Sequence, residues 1–540
     1  MKVAQRTCPR SIIQLMDRRQ FLQGALLALP AARSASAQFL DLEEITLADL
    51  EQGFRGGRFT SRAVTQWYLS RITSLDRGGP RVNAVIELNP DALEIAETLD
   101  RERASKGPRG PLHGVPVLIK DNIDTADRMM TTAGSLALMG SIAARDSFVA
   151  ARLRAAGAVI LGKTNLSEWA NFRSTHSVSG WSGRGGLTHN PYALDRNPSG
   201  SSSGSGAGTA ANFCAVAVGT ETDGSVTAPS SVNCLVGIKP TVGLISRAGI
   251  IPISQSQDTA GPMARTVRDA AILLSALAGA DPRDPATSAN AGKAQADYTT
   301  FLVPGGLKGA RLGVERKFFG GNAATDRIIE ECLALMKREG AELIDPAVLA
   351  SHGTYDDDEF QVLLYEFKAG VNAYLAGLSS KTRARSLADL IAFNREHRKE
   401  EMPYFEQETF EKAQEKGPLT ERAYLDARAR CVKLSREEGI DGLVAQHKLD
   451  AIVAPTMPPA PLNDLVLGDA NWPSCTTPAA VAGYPHITVP AGFVHGLPVG
   501  ISFFGPAWSE PVLLKLAYAF EQASKVRKPP RFAATANLGV

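Results

Sequence analysis

Three short apolar runs constrain this chain most: Val115 to Ile119, Ala158 to Leu161 and Ala215 to Val218. None alternates with polar residues, so each reads as a strand covered on both faces. Phe148 to Ala156, between the first two, reads as a helix. Such runs alternating with helices predict an α/β fold, a sheet sandwiched by helices. Glu43 to Leu75 has helical periodicity and charges, as N-terminal helices would. Residues from about 290 to 460 are more polar and are predicted to form an added helical layer. The run Asp356-Asp357-Asp358-Glu359 within that stretch reads as a solvated face. Residues 475–507 return to apolar runs broken by Gly and Pro, as if the chain rejoins the sheet. No internal repeat is visible.

The formal charge of +2 conceals a division. Residues 1–37 hold six Lys/Arg and one acid, Asp17, which leaves the remainder at −3. No basic stripe survives there, which argues against a nucleic-acid partner. Asp17-Arg18-Arg19-Gln20-Phe21-Leu22 has the twin-arginine look, Gly24 to Ala32 is apolar, and Ala35-Ser36-Ala37 offers a small-residue cleavage site. Residues 1–37 therefore read as an export signal, with a mature domain of 38–540 and a bacterial periplasmic or secreted destination. Met1 and Met16 are both candidate starts. The apolar stretch falls well short of the ~20 residues of a membrane span, so no stable insertion is expected. The six cysteines, Cys8, Cys214, Cys234, Cys332, Cys431 and Cys475, lack metal-type spacing, and so do the eight histidines. Neither a metal nor a cofactor is expected. The cysteines read as scattered buried thiols, with a Cys214–Cys234 disulfide as the alternative in an oxidising compartment.

Three segments carry candidate chemistry. Lys120 ends the first apolar run, where burial would disfavour its ammonium form. A neutral lysine can act as a base, which requires moving its pKa down by about 3 units, or roughly 4 kcal/mol. The second segment, residues 199–208, is almost entirely Gly and Ser. As a flexible linker it would be out of place between core runs. Its hydroxyls could relay protons instead. The third, Gly219-Thr220-Glu221-Thr222-Asp223-Gly224-Ser225, follows the third apolar run directly. A serine there lies at the carboxyl edge of the sheet, where active sites of α/β folds gather. The N–H groups of such a turn can cradle an oxyanion.

These segments, in this order, resemble the amidase signature family. Its pattern is a lysine in a K-D-N segment, a G-S-S-G run, and a serine in a G-[ST]-[DE]-x-x-G-S turn. Further matches are Gly162 to Trp169, Val236 to Thr241, Asp258 to Arg265, Ala482 to Pro485 and Gly496 to Gly500. The resemblance runs from about Leu50 to Glu521. It implies a large mixed central sheet covered by helices on both faces. It also implies Ser225 as nucleophile, Ser201 as a bridging serine reached through a cis peptide from Gly200, and Lys120 as base. The backbone N–H groups of Thr222, Asp223, Gly224 and Ser225 would form the oxyanion hole. The reaction implied is hydrolysis of a carboxamide through an acyl-enzyme, without a cofactor.

The sequence departs from the family pattern at Ser199 to Gly204, at Asp223 where glycine is common, and at Thr227 where many members carry arginine. Thr220 to Ser225, Leu166 to Phe172, Ser179 to Ser182 and Leu364 to Gly370 look like the bacterial peptide-amidase version. Those enzymes release ammonia from the C-terminal amide of peptides, so a small-molecule or short peptide amide is the expected substrate. Hydrolysis of other small, aryl or fatty amides is the alternative, and a silent peptide-binding protein is the alternative of another class. Ser202, Phe172, Trp181 and Tyr365 are candidate substrate contacts, with core packing the competing account of the aromatic three. His113 lies close enough in sequence to support Lys120, with packing as the default. Two decoys are set aside. Gly157 to Thr164 fits the P-loop expression, but its middle is a buried strand rather than a phosphate-cradling loop. Gly200 to Gly204 fits G-x-S-x-G, but a turn-rich loop precedes it rather than a strand.

Overall fold

Each of the three apolar runs forms a strand. The computed structural model describes residues 40–378, 382–470 and 473–539. The signal read over residues 1–37 lies outside them. In chain order the strands are β1 (Val85–Leu88), β2 (Pro116–Lys120), β3 (Val159–Thr164), β4 (Trp181–Ser182), β5 (Gly186–Leu187), β6 (Val216–Glu221), β7 (Val236–Lys239), β8 (Thr259–Ala264), β9 (Arg311–Val314), β10 (Glu342–Ile344), β11 (Ala451–Pro455), β12 (His486–Val494) and β13 (Leu497–Phe504). Eleven of them make one sheet in the order β1-β3-β2-β6-β8-β7-β12-β13-β11-β9-β10, while β4 and β5 pair separately. The sheet is mixed: β3, β2 and β6 run parallel, whereas β6–β8, β7–β8, β7–β12 and β12–β13 are antiparallel. Every residue of β2, β3, β6, β7, β8, β11 and β13 is buried, so helices cover both faces.

Local chemistry sets the helix starts. Thr46 opens Leu47–Arg55 with a capping box to Asp49, and Ser147 caps Phe148–Ala155 by accepting from Ala150 N. Ser203–Ala210, with sequence Ser-Gly-Ser-Gly-Ala-Gly-Thr-Ala, is helical against its own propensity and wholly buried. Packing explains it. A Cβ on Gly204 would lie 2.2 Å from Ala84 O and 2.6 Å from Asn165 O, so glycine lets this helix press directly onto backbone.

The polar stretch differs from its sequence reading. It is helical between Asp356 and His447, but on either side it contributes three sheet strands, β9, β10 and β11. Strands of three to five residues are too short to register in a composition-based reading. The acidic run also divides. Asp356 and Asp357 are exposed, while Glu359 is buried. Among the described residues no helix is long and apolar enough to cross a membrane.

Candidate active site

Strands β2 and β6 are parallel neighbours, with Val117 opposite Val216 and Ile119 opposite Val218. Their carboxyl ends therefore coincide, and Lys120 arrives beside Thr220. Lys120 is fully buried, and its Nζ lies 2.8 Å from Ser201 Oγ, 3.0 Å from Thr220 Oγ1 and 3.3 Å from Thr220 O. Burial drives its pKa down to about 7, against the opposing pull of Asp258 and Glu221. A neutral amine has two N–H bonds and one lone pair. Thr220 supplies two acceptors for the N–H bonds, which turns the lone pair toward Ser201. Asn122 Nδ2 donates to Thr220 Oγ1 at 3.0 Å and holds that hydroxyl in place.

Ser201 precedes the buried Gly/Ser helix, and the Gly200–Ser201 peptide bond is cis. Its neighbour stitches the segment to β6: Ser202 Oγ donates to Thr220 O at 3.0 Å and accepts from Thr220 N at 3.1 Å. Ser202 N donates to Ser225 O at 3.1 Å. The segment carrying Ser201 and the turn carrying Ser225 are thus tied backbone to backbone. Ser225 Oγ hydrogen-bonds to no described residue, and Ser225 is 8% exposed.

The turn itself is built by carboxylates. Glu221 Oε2 accepts from Val226 N at 2.8 Å, Thr227 N at 2.9 Å and Thr227 Oγ1 at 3.1 Å, fixing the start of helix Thr227–Val232. Thr222 Oγ1 donates to Asp258 Oδ1 at 2.6 Å, and Thr477 Oγ1 to Asp223 Oδ2 at 2.7 Å. Gly224 sits at φ +76°, the left-handed region that glycine favours. Among the described residues, the backbone N–H groups of Thr222, Asp223, Gly224 and Ser225 have no acceptor, so all four remain available to an oxyanion.

The other candidates have packing or hydrogen-bonding partners of their own. The Ser202 hydroxyl is consumed by the β6 stitch. Phe172 packs among Trp169, Phe367 and Phe410, with its ring 4.9 Å from that of Phe367. Trp181 stacks edge-on to Phe405 at 5.3 Å, and the Tyr365 hydroxyl donates to Glu421 Oε2 at 2.6 Å. All three rings lie in hydrophobic clusters, as the packing account of each holds. His113 faces Leu99 O at 2.9 Å and accepts from Arg109 N, away from Lys120. Cys214 and Cys234 are free thiols. In the P-loop decoy, Lys163 is a buried strand residue whose Nζ donates to Ile123 O at 2.6 Å. Thr220, Asn122 and Asp258 had no assigned role in the sequence. All three stood inside quoted motifs, but their function is a matter of side-chain direction.

The amidase family model matches residues 63–514. The chain belongs to the amidase signature family. It is an amidase, a hydrolase of carbon–nitrogen bonds in linear amides. Among solved structures, the peptide amidase PAM in complex with the competitive inhibitor chymostatin is 51% identical, with a TM-score of 0.88 over 91% of this chain and 99% of that one. Native peptide amidase from Stenotrophomonas maltophilia is also 51% identical, with a TM-score of 0.86 over the same shares. A probable amidase of Arabidopsis thaliana is 46% identical over 502 residues, 91% of this chain and 92% of that protein.

Proposed function

We propose that this amidase removes the C-terminal amide of peptides, with Ser225 as nucleophile, Ser201 as bridging acid–base and Lys120 as base. The contact of Lys120 Nζ with Ser201 Oγ at 2.8 Å, made by a fully buried amine, carries the reading. The 51% identity to peptide amidases supports the substrate class.

In this mechanism neutral Lys120 accepts the Ser201 proton while Ser201 accepts that of Ser225. Ser225 Oγ then attacks the carboxamide carbon. The developing oxyanion takes hydrogen bonds from the free N–H groups of the turn. When the tetrahedral intermediate collapses, the C–N bond breaks. The proton held by Lys120 returns through Ser201 to the nitrogen, which leaves as ammonia. Water then attacks the acyl-enzyme by the reverse relay and releases the acid. The Ser225–Ser201 hydrogen bond that the relay needs forms as substrate docks, as in many sites whose catalytic contacts tighten only in the complex.

The test is incubation of the purified protein with a C-terminally amidated dipeptide and with the same dipeptide lacking the amide. Ammonia from the first, with its internal bond intact, is the expected result. Cleavage of aryl or fatty amides alone would overturn the peptide reading. Residues 1–37 extend the proposal to twin-arginine export. A periplasmic protein whose N-terminal sequence begins at Gln38 is expected, and an uncleaved cytoplasmic chain would overturn it.

A further inference from the structure

The N–H groups offered to an oxyanion are only as well aimed as the turn that carries them. Glu221, opposite Thr259, is the last residue of β6, so Thr222 is the first that the sheet ladder no longer fixes. Two side chains of one loop take over. Asp258 Oδ1 accepts from Thr222 Oγ1 at 2.6 Å, and Gln257 Nε2 donates to Thr222 O at 3.4 Å. A trans peptide points its C=O and the following N–H to opposite sides. Holding Thr222 O therefore sets the direction of the Asp223 N–H.

That loop is itself gripped by helix Asp356–Ala376 of the added layer. Glu366 is 2% exposed and accepts four hydrogen bonds, from Ser254 Oγ, Ser256 Oγ, Ser256 N at 3.0 Å and Tyr424 Oη at 2.7 Å. They fill the roughly four lone-pair sites of a carboxylate. Glu359 lies about two helical turns earlier on the same face, and its Oε1 accepts from Gln257 Nε2 at 2.9 Å. Asp258 Oδ2 closes the loop by accepting from Ile253 N at 2.8 Å and Ser254 N at 2.9 Å. One chain of contacts thus runs from Glu366 through Ser254 and Asp258 to Thr222. A second runs from Glu359 through Gln257 to the same residue. Apolar packing already joins this helix to its surroundings through Leu364 and Phe367, at no cost in desolvated charge. What the two carboxylates add is direction.

We propose that Glu366, assisted by Glu359, is a positioning residue for the oxyanion hole. The added layer holds residues 253–258 rigid, and they hold Thr222 so that its N–H and that of Asp223 meet the substrate oxygen as charge develops on it. This rests on the reading of Ser225 as nucleophile and gives the added layer a part in the chemistry. A grip of this kind matters for the tetrahedral state and little for ground-state binding.

Glu366→Ala should lower kcat for a C-terminally amidated dipeptide by about tenfold to hundredfold with KM within about threefold, less than the loss of a whole oxyanion donor. Glu366→Gln, which keeps one acceptor oxygen, should recover part of that, and Glu359→Ala should lose less. The decisive readout is the ratio of inhibition constants for a dipeptide alcohol and the matching dipeptide aldehyde. Ser225 Oγ bonds to the aldehyde carbon, and the former carbonyl oxygen then occupies the oxyanion hole, whereas the alcohol cannot react. Inhibition constants do not depend on how much of a sample is folded, so a folding defect cancels. Glu366→Ala should lower the wild-type ratio by about tenfold. Tyr374→Phe removes a contact of the same helix with Asp124 Oδ1 at 2.8 Å and should leave the ratio unchanged. An unchanged ratio in Glu366→Ala, or an equal fall in Tyr374→Phe, would overturn the positioning role while leaving the Ser225 reading in place. A wild-type ratio retained in Ser225→Ala would mean that the nucleophile reading fails and the positioning role with it.

Discussion

Lys120 and Lys239 occupy matching places in two halves of the sheet. Each is the last residue of its strand, β2 or β7, and each is fully buried. Burial lowers both, Lys120 to about 7 and Lys239 to about 8. Their acceptors differ. Lys239 Nζ donates to Tyr484 O at 2.6 Å and to Pro240 O at 3.4 Å, both carbonyls, which have no proton to give. Lys120 faces the hydroxyl of Ser201. A displaced pKa therefore does not make a lysine a base. In the mechanism proposed, that takes a hydroxyl in reach, itself tied to the turn that carries Ser225. Lys163 in β3 refines the contrast, since its buried amine donates both to Ile123 O at 2.6 Å and to the Thr131 hydroxyl at 3.0 Å, a hydroxyl outside the segment tied to Ser225.

The comparison can be broken most severely at the end of the relay. Ser225→Ala should lower kcat by about 10⁴-fold or more, measured as ammonia release, because every later step passes through the acyl-enzyme. Lys120→Met should cost about 10³-fold, whereas Lys239→Met should stay within about tenfold of wild type, since a general base contributes 10²–10⁴ and a structural amine does not. Equal losses in the two variants would erase the distinction drawn between the lysines.

Acidity sharpens the same contrast. Lys120 must be neutral to act, so kcat/KM should rise with pH through about 7. Stability should follow. An unfolded lysine titrates near 10.4, so between about 7 and 10 the unfolded chain holds the proton that the folded chain has lost. Unfolding then takes up protons, and the free energy of unfolding gains up to about 1.4 kcal/mol per pH unit from this group. Denaturant titrations at pH 7.5 and 9.5 should show that slope reduced in Lys120→Met, and a slope identical to wild type would contradict the assignment. The smallest effect is expected at Thr220. Thr220→Val removes one acceptor from the amine and should cost about tenfold in kcat, with Thr220→Ser restoring most of it.

Much of the catalytic half was legible in the chain. Uninterrupted apolar runs revealed β2, β3 and β6 because a strand covered on both faces needs no polar residues. The motif spacing singled out Lys120, Ser201 and Ser225. The Gly/Ser segment was recognised as out of place for a linker, but its helix was not, because only the backbone of Ala84 and Asn165 pressing on Gly204 makes glycine favourable there. Strands β9 to β11 were absorbed into the helical layer for want of length. The aromatic candidates show what the chain left open. Phe172, Trp181 and Tyr365 sit in segments that look like peptide amidase, yet their rings fill hydrophobic clusters.

By itself the sequence determined which groups exist and in what local setting: an apolar strand ending in lysine, a serine in a tight turn after a strand, and a Gly/Ser segment between them. Those follow from residue type and spacing, which are local properties. Tertiary structure alone decided that 81 positions of chain separation close to 2.8 Å between Lys120 and Ser201. It also decided that Thr220 orients the amine and that Glu359 is buried while Asp356 and Asp357 of the same run face water. Hydrogen-bond direction and desolvation depend on what surrounds a group in space, and neighbours in space are set by how the strands pair.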